Sequence, residues 1–162
     1  MNELAIQLSE SAFGTWLRES LILFPLIEGV HLLGLALSFG LILFTDLRLI
    51  GVFLRQVPVS QILLQLRLWI FTGFALTFAT GILLLWAEAD SLVKNPAFLV
   101  KLAAIAAAVA NALLFEFRWG KLGAAWVDQD ATPRAARLAG WLSLSLWTLV
   151  TISGRLIPYY SA

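Results

Sequence analysis

Apolar residues run along this chain in four long blocks, Leu21 to Phe44, Leu68 to Trp86, Phe98 to Phe117 and Leu138 to Ile157, each broken by only a few polar positions. A bilayer core takes about 20 apolar residues in helical form, with every backbone polar group satisfied inside the helix. The pattern predicts four transmembrane helices, over about 21–44, 68–86, 98–117 and 138–157. Beyond the first block come Asp46, Arg48 and Arg55, so that helix is expected to project past the membrane. Pro25 stands near its start, where a helix tolerates proline better than in its middle.

Ahead of the first block, residues 3–19 place Leu4, Ala5, Leu8, Ala12 and Trp16 on one side at helical spacing, with Glu10, Gly14 and Arg18 opposite. Such a segment reads as an amphipathic helix lying in the membrane interface. It lacks a basic n-region and an A-x-A-like cleavage site, so it is expected to stay attached.

Composition narrows the class. Hydrophobic residues make up 60% of the 162 and charged residues only 13%, against about 25% charged in an ordinary soluble domain. A water-soluble fold is therefore excluded. The predicted class is an all-α integral membrane protein, a four-transmembrane-helix bundle preceded by the interfacial helix, in a single domain spanning 1–162. The net charge of +1 supplies no basic field for nucleic acid. With no cysteine, one histidine (His31) and one methionine (Met1), thiolate centres, iron–sulfur clusters, soft copper sites and multi-histidine zinc sites cannot be assembled within one chain. The stretch 119–137, with Asp128, Asp130 and Pro133, reads as an ordinary connecting loop.

Four spans put both termini and the second loop on one side. The first and third loops with their flanks hold Arg48, Arg55, Arg67, Arg118, Lys121, Arg134 and Arg137, and the other side holds Arg18, Lys94, Lys101 and Arg155. The positive-inside rule then places both termini outside the cytoplasm of a bacterial inner membrane. Trp16, Trp86, Tyr159 and Tyr160 would form the outer aromatic belt, and Trp69, Trp119 and Trp126 the inner one.

Burying a charge in hydrocarbon costs about 2.5–3.5 kcal/mol on insertion scales, so intramembrane ionisable groups are the first candidates for function. Glu28 and His31 are three apart in the first span and hence neighbours on the helix surface. At roughly 100° per residue, Glu28, His31, Ser38, Thr45 and Asp46 fall within one third of the circumference. That stripe is about 27 Å long and is expected to face the bundle interior. Gly73, Thr77 and Gly81 give the second span a small-residue face. The third is rich in alanine and carries Lys101 and Asn111, and the fourth places Trp141, Ser145, Thr148 and Arg155 on one side. Plainer readings exist for each. Lys101 and Arg155 can snorkel to headgroups, Asp46 with Arg48 and Glu116 with Arg118 can be interfacial ion pairs, and the glycines and alanines can serve packing alone.

The run His31-Leu-Leu-Gly34, Gly40-Leu-Ile-Leu-Phe44 and Asp46-Leu-Arg48-Leu-Ile-Gly51, together with Thr80-Gly81 and Asn95-Pro-Ala-Phe-Leu-Val-Lys101, resembles small bacterial four-helix inner-membrane families. They are the HemJ-type protoporphyrinogen oxidases, the copper resistance protein D group and, most closely, uncharacterised relatives whose first span ends in D-L-R-L-x-G. The resemblance covers about residues 25–157. It implies b-type haem associated with the first-helix histidine and the third-helix lysine, here His31 and Lys101. Where the HemJ-type family has a further histidine late in the third helix, this chain has Phe115-Glu116-Phe117. His31 lies about 15 Å and Lys101 about 5 Å in from the same face.

Three readings follow, and they leave open whether the chain is an enzyme. The first is a haem-binding redox or porphyrin-handling module. In it His31 is the axial ligand, Glu28 orients its other ring nitrogen or a propionate, and Lys101 or Arg155 meets the propionates. The sixth position goes to Lys101, to an open site or to His31 of a second subunit. The second is a proton or ion pathway along Glu28, His31, Ser38 and Asp46. The third is a non-catalytic scaffold or accessory subunit, in a homo-oligomer or larger membrane complex, that organises partners in the lipid bilayer.

Overall fold

The structure is a computed structural model and describes residues 2–117 and 132–160. All described elements are helical: α1 (Asn2–Ser9), α2 (Ala12–Glu19), α3 (Leu23–Ile50), α4 (Val59–Ala87), α5 (Ala89–Leu92), α6 (Pro96–Phe115), α7 (Arg134–Leu156) and a closing 3-10 turn (Ile157–Tyr159). Four helices, α3, α4, α6 and α7, are long and apolar enough to cross a membrane, making this a multi-pass membrane protein. Arg118, Trp119, Lys121, Trp126, Asp128 and Asp130, which the sequence assigns to the third loop and inner belt, lie outside the described residues.

Local chemistry sets the ends of the elements. The predicted single helix over 3–19 is two helices, because the Ser11 hydroxyl accepts from Gly14 N (3.1 Å) and donates to Leu8 O (2.6 Å). Ser11 thus caps a new helix instead of continuing the old one. Gly14 is required there, since a methyl on it would stand 2.6 Å from Leu8 O. α3 runs six residues beyond the predicted span and stops at Gly51, whose φ of 84° suits glycine. α4 begins after Pro58, nine residues before the predicted start. Asn95 starts α6 by accepting from Ala97 N and Phe98 N, with Pro96 in the first turn.

Three sides of the bundle are closed by helix packing: α3 lies on α4 and on α7, and α7 lies on α6, whereas α4 and α6 scarcely touch. An Arg67–Glu116 ion pair (3.1 Å) ties that fourth side at one end. Phe74 of α4 stacks on Trp147 of α7, ring centroids 4.8 Å apart, and with Ala104, Ala108 and Val150 fills the centre. Large apolar side chains such as Leu33, Leu64 and Leu114 are exposed, as lipid-facing positions should be.

The face of α7 that turns inward is not the predicted one. Trp141, Ser145, Thr148 and Arg155 are exposed, and Ala136, Gly140, Trp147, Val150 and Ser153 are buried. Ser145 and Thr148 donate to Trp141 O and Leu144 O of their own helix, so outward placement leaves no hydroxyl unsatisfied.

α1, α2, α5, the start of α6 and the closing turn gather at one end, termed proximal; the Arg67–Glu116 end is distal. Arg18 donates to Ala87 O (3.3 Å), Trp86 to Ser11 Oγ (3.1 Å) and Asn95 to Ile157 O (2.9 Å), fastening this end. Ala5, Ser9, Gly14 and Leu17 face the bundle. Of the predicted apolar face, Leu4, Leu8 and Trp16 are exposed, as is Phe13, whereas Ala5 is buried.

Candidate functional site

In the proximal half, α3 carries Glu28 and His31, α4 carries Thr77, Thr80 and Gly81, α6 carries Lys101, and α7 carries Gly154 and Arg155. Close packing of α3 on α4 determines where the imidazole goes. A methyl at Gly34 would stand 2.7 Å from Thr77 Oγ1 and 3.0 Å from Gly73 O, and one at Gly73 would stand 2.8 Å from Ser38 N. The two backbones are therefore in near contact, and the half-buried His31 ring one turn away lies along α4, its Cε1 3.1 Å from where a Gly81 methyl would be.

His31 Nδ1 is 3.1 Å from Thr80 Oγ1. The Thr80 hydroxyl proton is directed to Leu76 O, with Thr77 O also close, so toward the imidazole the oxygen acts as acceptor. Hydrogen bonding thus assigns the proton of the neutral ring to Nδ1 and the lone pair to Nε2. Thr80 is buried, and it takes the orienting role predicted for Glu28. Glu28 itself is exposed on α3, although its charge acts on the ring.

Lys101 is half-buried across Gly154, where an added methyl would stand 3.6 Å from its Cδ and Nζ. It has no hydrogen bond or ion pair among the described residues, and its charge acts on His31. Arg155, next to Gly154 in sequence, is exposed. His31 and Thr80 therefore come together, Lys101 lies on α6 against Gly154 of α7, and Glu28 and Arg155 are exposed. Among the described residues no three His, Cys, Asp or Glu side chains converge on a metal position.

At the proximal surface, a cavity of about 270 Å³ is lined by Ser9, Glu10, Arg18, Glu88, Asp90 and Ser91. Burial raises the Glu88 carboxyl above its ordinary range, the Glu28 carboxylate adds to that, and Arg18 opposes it.

The polar stripe divides into two parts. Ser38 is 0% exposed and donates to Gly34 O (2.9 Å) and Leu35 O (3.3 Å), within its own helix. Below it, Asp46 is bonded by Ser143 of α7. Asn111 Nδ2 donates to Ala139 O (3.0 Å), joining α6 to α7. The expected Asp46–Arg48 pair is not made, and Arg118, expected beside Glu116, lies outside the described residues. Arg48 turns away from Asp46 to Val57 O (2.7 Å) and Thr132 Oγ1 (3.4 Å), and Glu116 pairs with Arg67. Sequence reasoning missed Thr80 and Ser143 as partners. The Thr77-x-x-Thr80-Gly81 spacing was the available signal for the first, and no signal marked the second.

No curated protein and no solved structure matches this chain. A family does match over residues 19–160, and the chain belongs to it: a family of unknown function (DUF6644).

Proposed function

We propose that this chain is a small membrane module that holds a b-type haem, or a closely related porphyrin, in its proximal half through His31. The single observation carrying the reading is the 3.1 Å approach of half-buried His31 Nδ1 to a Thr80 hydroxyl whose own proton goes to Leu76 O, an arrangement that leaves Nε2 as the ligating nitrogen. Metal-ligating histidines use the same arrangement, with the far ring nitrogen held by a hydrogen-bond acceptor. The donor set present therefore fits the group. When bound, haem supplies one-electron chemistry set by its axial ligands and surroundings.

The chain's own residues have separate tasks in this reading. Thr80 fixes the tautomer and ring plane, and Gly81 lets the ring lie against α4. Lys101, free of any other partner, offers a second donor or a positive charge, and Glu28 and Arg155 lie nearer the membrane surface, where propionates are solvated. A second subunit's His31 is the other source of a sixth ligand, in a homo-oligomer. The termini end is assigned to the outer face of a bacterial inner membrane by the distribution of basic residues. Between His31 and Asp46 α3 carries no titratable side chain, and Ser38 donates to carbonyls of its own helix, which favours a localised site over a pathway.

Detergent-purified protein supplied with haem is expected to develop a Soret band that His31→Ala abolishes. A folded protein with no such band after supplementation overturns the reading.

A further inference from the structure

The distal half contains a carboxyl for which the proximal site has no use. Asp46 is 4% exposed, in the contact between α3 and α7. The helices are close there: a methyl at Gly140 would stand 3.4 Å from Asp46 O and 3.2 Å from Leu49 Cβ. One turn after Gly140, Ser143 bonds the Asp46 carboxyl. The other oxygen, Oδ2, is fully buried and has no hydrogen-bond partner among the described residues.

Among the described residues, the cations on the surrounding elements are engaged or turned away; Arg118 and Lys121 lie outside them. On α3, Arg48 is bonded to Val57 O and Thr132 Oγ1. Arg55, in the following loop, is bonded to Gly51 O. Arg67 of α4 pairs with Glu116 at the end of α6. Arg134 and Arg137 at the start of α7 are exposed. Among neutral donors, Thr45 is bonded to Leu41 O and the Asn111 amide nitrogen to Ala139 O. A carboxylate closed into this contact would hold a full negative charge with one hydroxyl as its only donor. Such an ion is costly in low dielectric, and taking up a proton removes the charge.

We propose that Asp46 is a proton-binding site at the distal end of the bundle. The carboxyl is held between α3 and α7 as the neutral acid, the proton sits on Oδ2, and Ser143 donates to the carbonyl oxygen. Oδ2–H has no acceptor among the described residues, so its proton exchanges when water enters between α3 and α7. The site is separate from His31 in sequence, in depth and by the packed Ser38 layer, and it needs no cofactor.

Infrared spectroscopy of the haem-free protein in bilayers at neutral pH tests this through the carbonyl stretch of protonated carboxylic acids. Asp46→Asn is expected to remove one protonated-acid band from the wild-type spectrum. Ser143→Ala is expected to move that band to higher frequency, because its carbonyl loses a donor. An unchanged band in Asp46→Asn overturns the proposal. Should Asp46→Asn not fold, Ser143→Ala decides: a shifted band supports the proposal and an unmoved spectrum overturns it.

Discussion

The α3/α4 seam and the α6/α7 seam join helices by opposite means. In the first, Gly34 and Gly73 bring two backbones together, and an added methyl at either would stand 2.7–2.8 Å from its nearest neighbour. In the second, Ala104 and Ala108 receive Trp147 and Val150, large side chains set against small ones, with the Asn111–Ala139 hydrogen bond beside them. Backbone contact cannot relax by changing a rotamer, whereas a side-chain seam can. His31 and Thr80 flank the rigid seam, so the imidazole is held by parts of the molecule that have the least freedom to move.

The largest effect is expected at that seam. Gly73→Val should cost about 3 kcal/mol through overpacking, read as loss of folded protein in detergent titrations; unaltered stability would show that the backbones can part. Next, Thr80→Val should leave the fold intact and weaken haem retention 10–100-fold, the usual cost of removing a histidine's orienting partner. Equal retention would mean that the ring needs no such support. On the softer seam, Asn111→Leu should cost about 1 kcal/mol, the scale of interhelical hydrogen bonds in membranes; a loss matching that of Gly73→Val would erase the contrast.

The smallest effect concerns Glu88, outside both seams. Its carboxyl is raised in the folded chain by burial first and Glu28 second, so the folded state binds its proton more tightly than the unfolded one. The stability this contributes is full below the unfolded value of about 4.3 and is lost as pH rises through the folded value. Glu88→Gln should therefore raise the apparent Tm at neutral pH by about a degree, with no difference from wild type in acid. A Tm lowered at neutral pH and unchanged in acid would reverse the sign.

Number and approximate position of the spans were legible because membrane crossing demands a length of apolar sequence that local variation cannot hide. Helix rotation was less legible. The sequence placed Trp141, Ser145 and Thr148 inward because they are polar or aromatic, but self-bonded hydroxyls carry no penalty outside, and glycine at 140 favours the close approach of that side of α7 to α3. His31 was identifiable as the only histidine. Its partner Thr80 was not, since the register between α3 and α4 that pairs them is set by the Gly34/Gly73 contact. Neighbours in sequence also misled: Asp46 and Arg48 are two residues apart, and two positions along a helix point in different directions.

Arg48 carries a consequence for biogenesis. Only 5% of it is exposed, and its guanidinium stitches the end of α3 to Val57 in the following loop and to Thr132 just ahead of α7. In the proposed orientation, that same side chain counts during insertion as a cytosolic positive charge that helps choose which way α3 enters. One residue thus serves first as a vote on orientation and later as an internal brace. Lysine in its place would keep the vote but lose the forked, two-armed brace, giving a protein inserted the right way round with its distal loops unfastened.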